Sequence, residues 1–566
     1  GSLLVEEEQI GQTRYDLQTN TSIQNRIHVY EDGAIGATWT IGLADPGYAD
    51  RGTGYNYYDG TAWGAEPTER IETVRTGWPS YAPYGETGEM VVSHDFTAGS
   101  LILLTRDDKG TGSWTESEFV GPGTEISWNR STTSGINNSV IQMLYITWPT
   151  PNGGTVYEGL DGAILYSKST DGGASWDPQH ALLNGMTSGE YAGFSADDYE
   201  WAATDDDNIA FLVGDSWFDF FLMKSGDGGD TWEKTVIWHN PYPFFNISAP
   251  TVTDTFYCVD GAHHLTFDQQ GKVYVVFGIN RAYSDGSGTF WFPFVDGVGY
   301  WNEDMPAFTD NLNALNPYGH PDSELIEDEN LIGWSQDVDG DGELTFLDEI
   351  GTYFISLSSQ PQIVIDDMNN KFVVFSSVTE TYDNGVQNYR HLWARASGPG
   401  SNWGEFAHLT SGLIHLFDEC VFPSVAPYCD DNFYLIYQAD SEPGLSIRGD
   451  LDPPTDNFIY FMEISKMEVP VGTDNHFELI SNFEVSQNFP NPVSGKTHVT
   501  VDVSEKCSLS LDVLDVTGKI VSSLPYREVN KGTYTLLIDA SGFTPGVYFY
   551  RVDAGDRTMT RKMMVE

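Results

Sequence analysis

Short runs rich in β-branched and aromatic residues recur along the chain as far as Ser465. They read GAIGATWT from Gly33, GEMVVSH from Gly88, SVIQMLYITW from Ser139 and NIAFLVGD from Asn208. KVYVVFG from Lys272, KFVVFSSV from Lys371 and NFYLIYQAD from Asn432 continue the series. Several follow acidic or Asn/Gly turns, as in DDMNNKF from Asp366 and CDDNFY from Cys429. Runs of this length and composition between turn formers predict strands, not helices. Their recurrence predicts an all-β domain of seven repeated units.

A second periodicity runs in phase with the first. Trp63, Trp114, Trp176, Trp232, Trp291 and Trp403 each follow a turn rich in Gly, Ser or Asp, 51 to 62 residues apart except for a last gap of 112. That gap holds an irregular polar stretch, residues 303–358, and is read as one repeat plus an insertion. Two of the turns are sharper. Ser169-Thr170-Asp171-Gly172-Gly173-Ala174-Ser175-Trp176 and Ser225-Gly226-Asp227-Gly228-Gly229-Asp230-Thr231-Trp232 share S-x-D-G-G-x-T/S-W. This resembles the Asp-box, or BNR repeat, of sialidase-like β-propellers. In such a turn the Asp accepts backbone N–H bonds and the glycines allow positive φ; the Trp packs between blades. YYDGTAW from Tyr57, YSDGSGTFW from Tyr283 and SGPGSNW from Ser397 read as degenerate copies. The spacing suits four-stranded blades with generous loops. It predicts a seven-bladed propeller, with six blades as the alternative, over residues 26–466, behind an N-terminal segment 1–25. Asp boxes serve folding and by themselves point to no chemistry.

The pattern stops after Ser465, and residues 467–482 read as a linker. Asn488-Phe489-Pro490-Asn491-Pro492 then precedes THVTVDV from Thr497, LDVLDVTGKIV from Leu511, KGTYTLLID from Lys531 and GFTPGVYFYRVDAG from Gly542. The alternation predicts a small β-sandwich over 483–566. Its N-x-P-N-P start, its D-x-x-G-K turn from Asp515 to Lys519, its P-G-V-Y strand and its closing K-M-x-V resemble the type A C-terminal sorting domain of type IX secretion cargo in Bacteroidetes. The resemblance implies handling by the type IX secretion machinery, export through the outer membrane, and release or attachment at the cell surface.

Charge and composition narrow the partners. Asp and Glu number 83 against 27 Lys and Arg, a net charge of −56. Nucleic acids and anionic membranes need clustered cations, so both are excluded as partners. Aromatics at 14% and 58 glycines mark a folded, turn-rich chain, not an acidic disordered one. No apolar run reaches the length of a transmembrane helix. The first residues lack the layout of a signal peptide, so an exported protein would already have shed one. Of the four cysteines, none forms a Cys-x-x-Cys pair. Cys420 and Cys429 either meet across a hairpin as a disulfide or remain free thiols.

The insertion carries Asp337-Val338-Asp339-Gly340-Asp341-Gly342-Glu343-Leu344-Thr345-Phe346-Leu347-Asp348-Glu349. Carboxylates at positions 1, 3, 5 and 12, Gly at 6 and an apolar residue at 8 match an EF-hand-type loop. The expected ligands of a structural Ca²⁺ are Asp337, Asp339, Asp341, Glu343 and Asp348; Asp at position 12 is similar to the dockerin variant. Asp197-Asp198, Asp205-Asp206-Asp207 and Asp430-Asp431 read as solvated turns.

The propeller resemblance raises exo-sialidase chemistry, which needs three arginines on a carboxylate, a Tyr–Glu nucleophile pair and an Asp acid. Arg26, in Asn25-Arg26-Ile27-His28, matches the Arg of a sialidase Arg-Ile-Pro sequence, but His28 replaces the Pro. Arg51, Arg130, Arg281, Arg390 and Arg395 lie in no alignable motif. His239, His263-His264 and His320 lack metal spacing, and neither a nucleophile elbow nor a phosphate loop occurs. The leading expectation is therefore non-catalytic binding of an extracellular glycan or protein. The loops offered for it are WFPFVDGVGYW from Trp291, NPYPFF from Asn240 and DSWFDFF from Asp215. The alternatives are a sialidase-like glycoside hydrolase and a self-assembling subunit of a surface layer or fibre.

Overall fold

The computed structural model describes residues 5–202, 207–472, 483–503, 506–515, 519–555 and 557–565. Asp205 and Asp206, most of the expected linker, and the middle of the Asp515–Lys519 turn lie outside the described residues. The chain divides into two units, Gly1–Thr473 and Asp474–Glu566.

The first unit holds seven sheets among the described residues, each with its strands laid down in chain order from the first strand outward, except that Glu6–Thr13 and Glu349–Ile350, earlier in the chain, join two of them on the outer side. The first strands are Ile27–Val29, Gly77–Tyr84, Ile126–Ser134, Tyr199–Trp201, Phe256–Phe267, Ser358–Ile365 and Glu419–Cys429. Each touches the next in turn, and Glu419–Cys429 touches Ile27–Val29, so the succession closes on itself. Sheets radiating from a closed ring of first strands make a β-propeller. Many strands are buried along nearly their whole length because neighbouring sheets cover both faces. Ile35–Ile41, Gly88–Asp95 and Gln387–Ser397 are buried at every position.

The described part of the segment 1–25, read as lying outside the propeller, instead contributes to it. Strand Glu6–Thr13 pairs antiparallel with Asn457–Ser465, from Glu6 opposite Glu463 to Thr13 opposite Asn457. The sequence EEEQIGQT hides this because the strand forms the polar outer edge of the seventh sheet. Its apolar anchor is the fully buried Ile10. Gly11 is required there, since a Cβ would overlap the Trp39 ring. The first and last parts of the unit thus share one sheet, and a polar strand covers the edge of Asn457–Ser465.

Both full Asp boxes fold as their residues demand. Asp171 accepts the Ser175 N–H at 2.8 Å and the Ser175 hydroxyl at 2.6 Å; Asp227 does the same with Thr231 at the same distances. Gly172, Gly173, Gly228 and Gly229 all have positive φ. Trp176 packs edge-on against Phe119 of the preceding sheet, and Trp232 against Tyr166 of its predecessor. Trp63 reaches Phe461 of the seventh sheet. The Trp291 turn breaks the ladder. It follows the second strand of its sheet, Val273–Ser284, whereas the full boxes follow the third. Trp291 packs against Phe354 in the insertion.

Cys420 and Cys429 are free and stand at the two ends of one strand, Glu419–Cys429, opposite Ala439 and Phe433. A disulfide across a hairpin is therefore excluded. Asp430, at the turn that follows, accepts from the Asn432 N–H and the Tyr434 hydroxyl.

The second unit has two sheets around one apolar core that includes Val499, Val501, Leu511, Tyr550, Val552 and Met563. One sheet orders Phe483–Val485, Lys496–Val503 and Gly532–Asp539; the other orders Ile520–Val529, Cys507–Asp515, Gly546–Ala554 and Arg557–Val565. Asn488 of the N-x-P-N-P start donates to the Pro490 carbonyl and the Thr497 hydroxyl. Among the described residues no helix is long and apolar enough to cross a membrane.

Candidate functional site

The polar centre of the ring is where catalysis sits in the resembled family. Arg26 is buried and donates to Gln18 O at 2.8 Å and Gln24 Oε1 at 2.8 Å. Burial, then the neighbouring Arg130, pulls its pKa down to about 9. Arg130 is fully buried and reaches Asp197 Oδ1 at 3.1 Å, Glu200 Oε2 at 3.3 Å and Ser22 O at 2.6 Å. Arg390 donates to the Leu357 and Ser356 carbonyls, both at 2.9 Å. Gln18, Ser22 and Gln24 belong to the segment between Glu6–Thr13 and Ile27–Val29. Its own carbonyls and amides therefore take the donors that a bound carboxylate would need. The space beside Arg26 is about 20 Å³, bounded by Gln18, Tyr437 and Gln438. That is room for about one water.

The other arginines are also engaged. Arg51 lies over Tyr15 and Trp78, Arg281 over Phe292, and Arg395 pairs with Asp328. His263 is buried and His264 half-buried, and desolvation lowers the pKa of both. Asp197-Asp198, read as a solvated turn, is a correction: both residues are buried. Asp197 accepts from Trp78 Nε1 at 2.8 Å and pairs with Arg130, which supplies the counter-charge that burial requires. Burial and then Asp215 raise the Asp198 carboxyl well above its ordinary value.

The acidic loop folds on itself and onto the sixth sheet. Asp337 accepts the N–H groups of Gly340 at 2.6 Å and Gly342 at 2.8 Å, and Asp339 accepts that of Asp341 at 3.1 Å. Carboxylate oxygens of Asp337, Asp339 and Glu380 lie within 4.8 Å of one another. Glu380 is buried on strand Lys371–Asp383 and accepts the Val338 and Thr345 N–H groups at 3.1 and 2.7 Å. It lies outside the loop motif, so spacing had no means of finding it. Asp341, Glu343 and Asp348 are exposed and stand apart from this trio among the described residues. Three hard oxygen donors on one side, with backbone and water for the rest, suit a divalent cation such as Ca²⁺.

Two of the three aromatic loops meet. Trp217, from DSWFDFF, stacks on Phe245, from NPYPFF, with ring centroids 4.2 Å apart and planes at 25°. Phe194 meets Phe218 edge-on at 5.2 Å. With Pro149 and Pro151 they line an open cleft of about 240 Å³ between the third and fourth sheets, rimmed by Asn152, Ser195 and Asn246. The third loop lies elsewhere, Phe292 beneath Arg281 and Trp291 on Phe354. A larger, polar cleft of about 600 Å³ includes Lys272, Lys371, Asp268, Asp328 and Glu329. Lys272 pairs there with Asp304, and Arg395 with Asp328.

These features define a β-propeller followed by a compact two-sheet domain. Residues 487–566 match the secretion system C-terminal sorting domain family. The protein carries a type IX sorting domain, engages that secretion machinery, and is exported to the outer surface or the extracellular space. No curated protein matches the chain. Among solved structures it is similar to polysaccharide lyase Uly1, with TM-score 0.33, 12% identity, and 85% of this chain and 93% of that one covered. The Penicillium chrysogenum alpha-L-arabinanase complexed with arabinobiose gives 0.32 and 11%, covering 83% of this chain and 100% of that one. The Trypanosoma rangeli sialidase in complex with 2,3-difluorosialic acid gives 0.36 and 10%, covering 99% and 88%. Likeness at this level carries no argument about chemistry.

Proposed function

We propose that the first unit is a seven-bladed propeller that binds extracellular ligands, glycan or protein, without catalysis. The observation that supports this most directly is the engagement of the ring's arginines within the chain. Arg26, Arg130 and Arg390 are spent on the chain's own carbonyls, amides and carboxylates, and the space beside Arg26 holds about one water. The aromatic cleft remains open, and its apolar walls with a rim of amides and a hydroxyl match the usual make-up of a ligand site. The test is a glycan array on the intact protein, run beside a turnover assay on the same sugars including sialosides. Binding without turnover is expected; turnover of any of them would overturn the reading in favour of a glycoside hydrolase.

A structural role draws on a separate observation. Leu413, Ile414, Leu416 and Phe417 follow closely in sequence and are 89, 60, 41 and 64% exposed. Exposed apolar clusters of this kind mark contact surfaces. Light scattering over a concentration series tests self-assembly, with Leu413→Ser and Phe417→Ser as the paired change.

We also propose that Asp337, Asp339 and Glu380 hold a structural Ca²⁺ that fastens the insertion to the sixth sheet. Backbone carbonyls of the loop and water would complete its shell.

A further inference from the structure

The aromatic cleft has a charge character that narrows its ligand. Lys, Arg and His are absent from its lining. Its one ionisable side chain, Asp161, is already held by the Thr150 N–H at 2.7 Å, the Thr150 hydroxyl at 2.8 Å and the Ser248 hydroxyl at 2.6 Å. An anionic ligand would meet no counter-charge there and would approach a chain of net charge −56. Desolvating a carboxylate or sulfate against Trp217, Phe245 and the two prolines would add a further penalty. A volume of about 240 Å³ also falls below the ~300 Å³ at which sites for drug-sized ligands begin, so one sugar residue or little more fits.

The hydrogen-bonding groups suit hydroxyls. Among the described residues the Asn152 amide is exposed at the rim without an intramolecular bond. Asn246 accepts the Ser248 N–H through Oδ1, which leaves Nδ2 to donate. Ser195 donates to Asp215 and keeps its oxygen as an acceptor. Pro149, Pro151 and the exposed Ile247, beside the edges of the largely buried Trp217 and Phe245 rings, offer the apolar surface that the C–H face of a pyranose covers.

We infer that this cleft binds an uncharged sugar residue of an extracellular glycan and discriminates against sialylated, uronate and sulfated sugars. The inference rests on the glycan-binding reading above and adds site and ligand class to it.

Calorimetry and saturation-transfer NMR on the full chain, at 50 and 500 mM NaCl, would compare neutral oligosaccharides with sialyllactose and oligouronates. The expected result is binding of a neutral sugar that changes less than about twofold with salt, because no ion pair is formed. Trp217→Ala should weaken it roughly tenfold. Because that ring is mostly buried, a second variant, Asn152→Ala with Asn246→Ala, should weaken binding about threefold at unchanged melting temperature. Preferential, salt-sensitive binding of acidic sugars would overturn the inference and leave the glycan reading standing. So would neutral-sugar binding that both variants preserve, which would place the site elsewhere. Absence of binding to every sugar would remove the glycan reading and this inference with it.

Discussion

His415 Nε2 lies 3.2 Å from Glu7 Oε2, across the gap between the loop that enters the seventh sheet and the strand that completes it. The opposite ring nitrogen faces Asp418 at 3.0 Å, and the Tyr437 hydroxyl meets Nε2 at 2.8 Å. The imidazole is fully buried and ties the N-terminal strand into the ring. Burial opposes its charge and is outweighed by Cys420, Asp418 and Glu7, which raise its pKa to about 12. Because the folded pKa exceeds the ordinary 6.5, the contribution is complete below that value and is lost as pH rises from there towards 12. His415→Ala should cost about 3–5 kcal/mol at pH 6, as expected for breaking a buried ion pair. Its deficit against the unaltered protein should shrink by pH 10. Denaturant melts at the two pH values check this; a deficit independent of pH would count against a charged His415.

Asp16 and Asp452 share one donor, the Ser446 N–H, at 2.5 and 3.1 Å. Burial raises Asp16 to about 6; burial and then the Asp16 charge raise Asp452 to about 7. Both folded values lie above 3.8, so the stability they confer is present below about 4 and is lost as pH climbs through 6 and 7. The melting temperature should therefore fall between pH 5 and pH 8. Asp452→Asn should flatten that slope, and a scan of melting temperature against pH for both proteins decides it.

Arg26 is a packing residue in this fold. Arg26→Met leaves Gln18 and Gln24 without their buried donor and should lower stability by about 2–4 kcal/mol. Sialoside turnover should be absent before and after the change. Loss of a measurable turnover in the variant at unchanged stability would restore Arg26 as a catalytic group.

Chelation tests the acidic loop. If Asp337, Asp339 and Glu380 bind Ca²⁺, adding the ion at about 100 times its dissociation constant should stabilise the first unit by about 2.7 kcal/mol. EGTA should reverse the effect, and Glu380→Gln should reduce it while Asp348→Asn leaves most of it intact. Calorimetric melts of the four samples separate these outcomes; a Glu380→Gln protein with the full shift would remove Glu380 from the site.

Removing residues 487–566 should abolish export while the propeller still folds, since its core draws on the first unit alone. Cell fractionation with an antibody to the propeller reads this directly, with accumulation in the periplasm as the expected result.

Much of the architecture was legible in the chain because it is local. Strand runs, Asp-box turns and the N-x-P-N-P start are fixed by residues within a few positions of one another, as Asp171 with Ser175 and Asn488 with Thr497 show. The misread parts depend on distant partners. The strand Glu6–Thr13 is too polar to stand out, and its place follows only from pairing with residues 457–463. The Trp291 turn imitates an Asp box in composition yet falls after the wrong strand.

The sequence by itself determined the all-β class, the repeated unit, the net acidic charge and the export address. Each rests on composition or on contacts short in sequence. Tertiary structure alone decided that Asp197 is a buried counter-ion of Arg130, that Glu380 joins Asp337 and Asp339, and that Trp217 and Phe245 share one cleft. Ring closure brings together residues tens to hundreds of positions apart, and neither burial nor spacing between sheets is encoded in any local run of the chain.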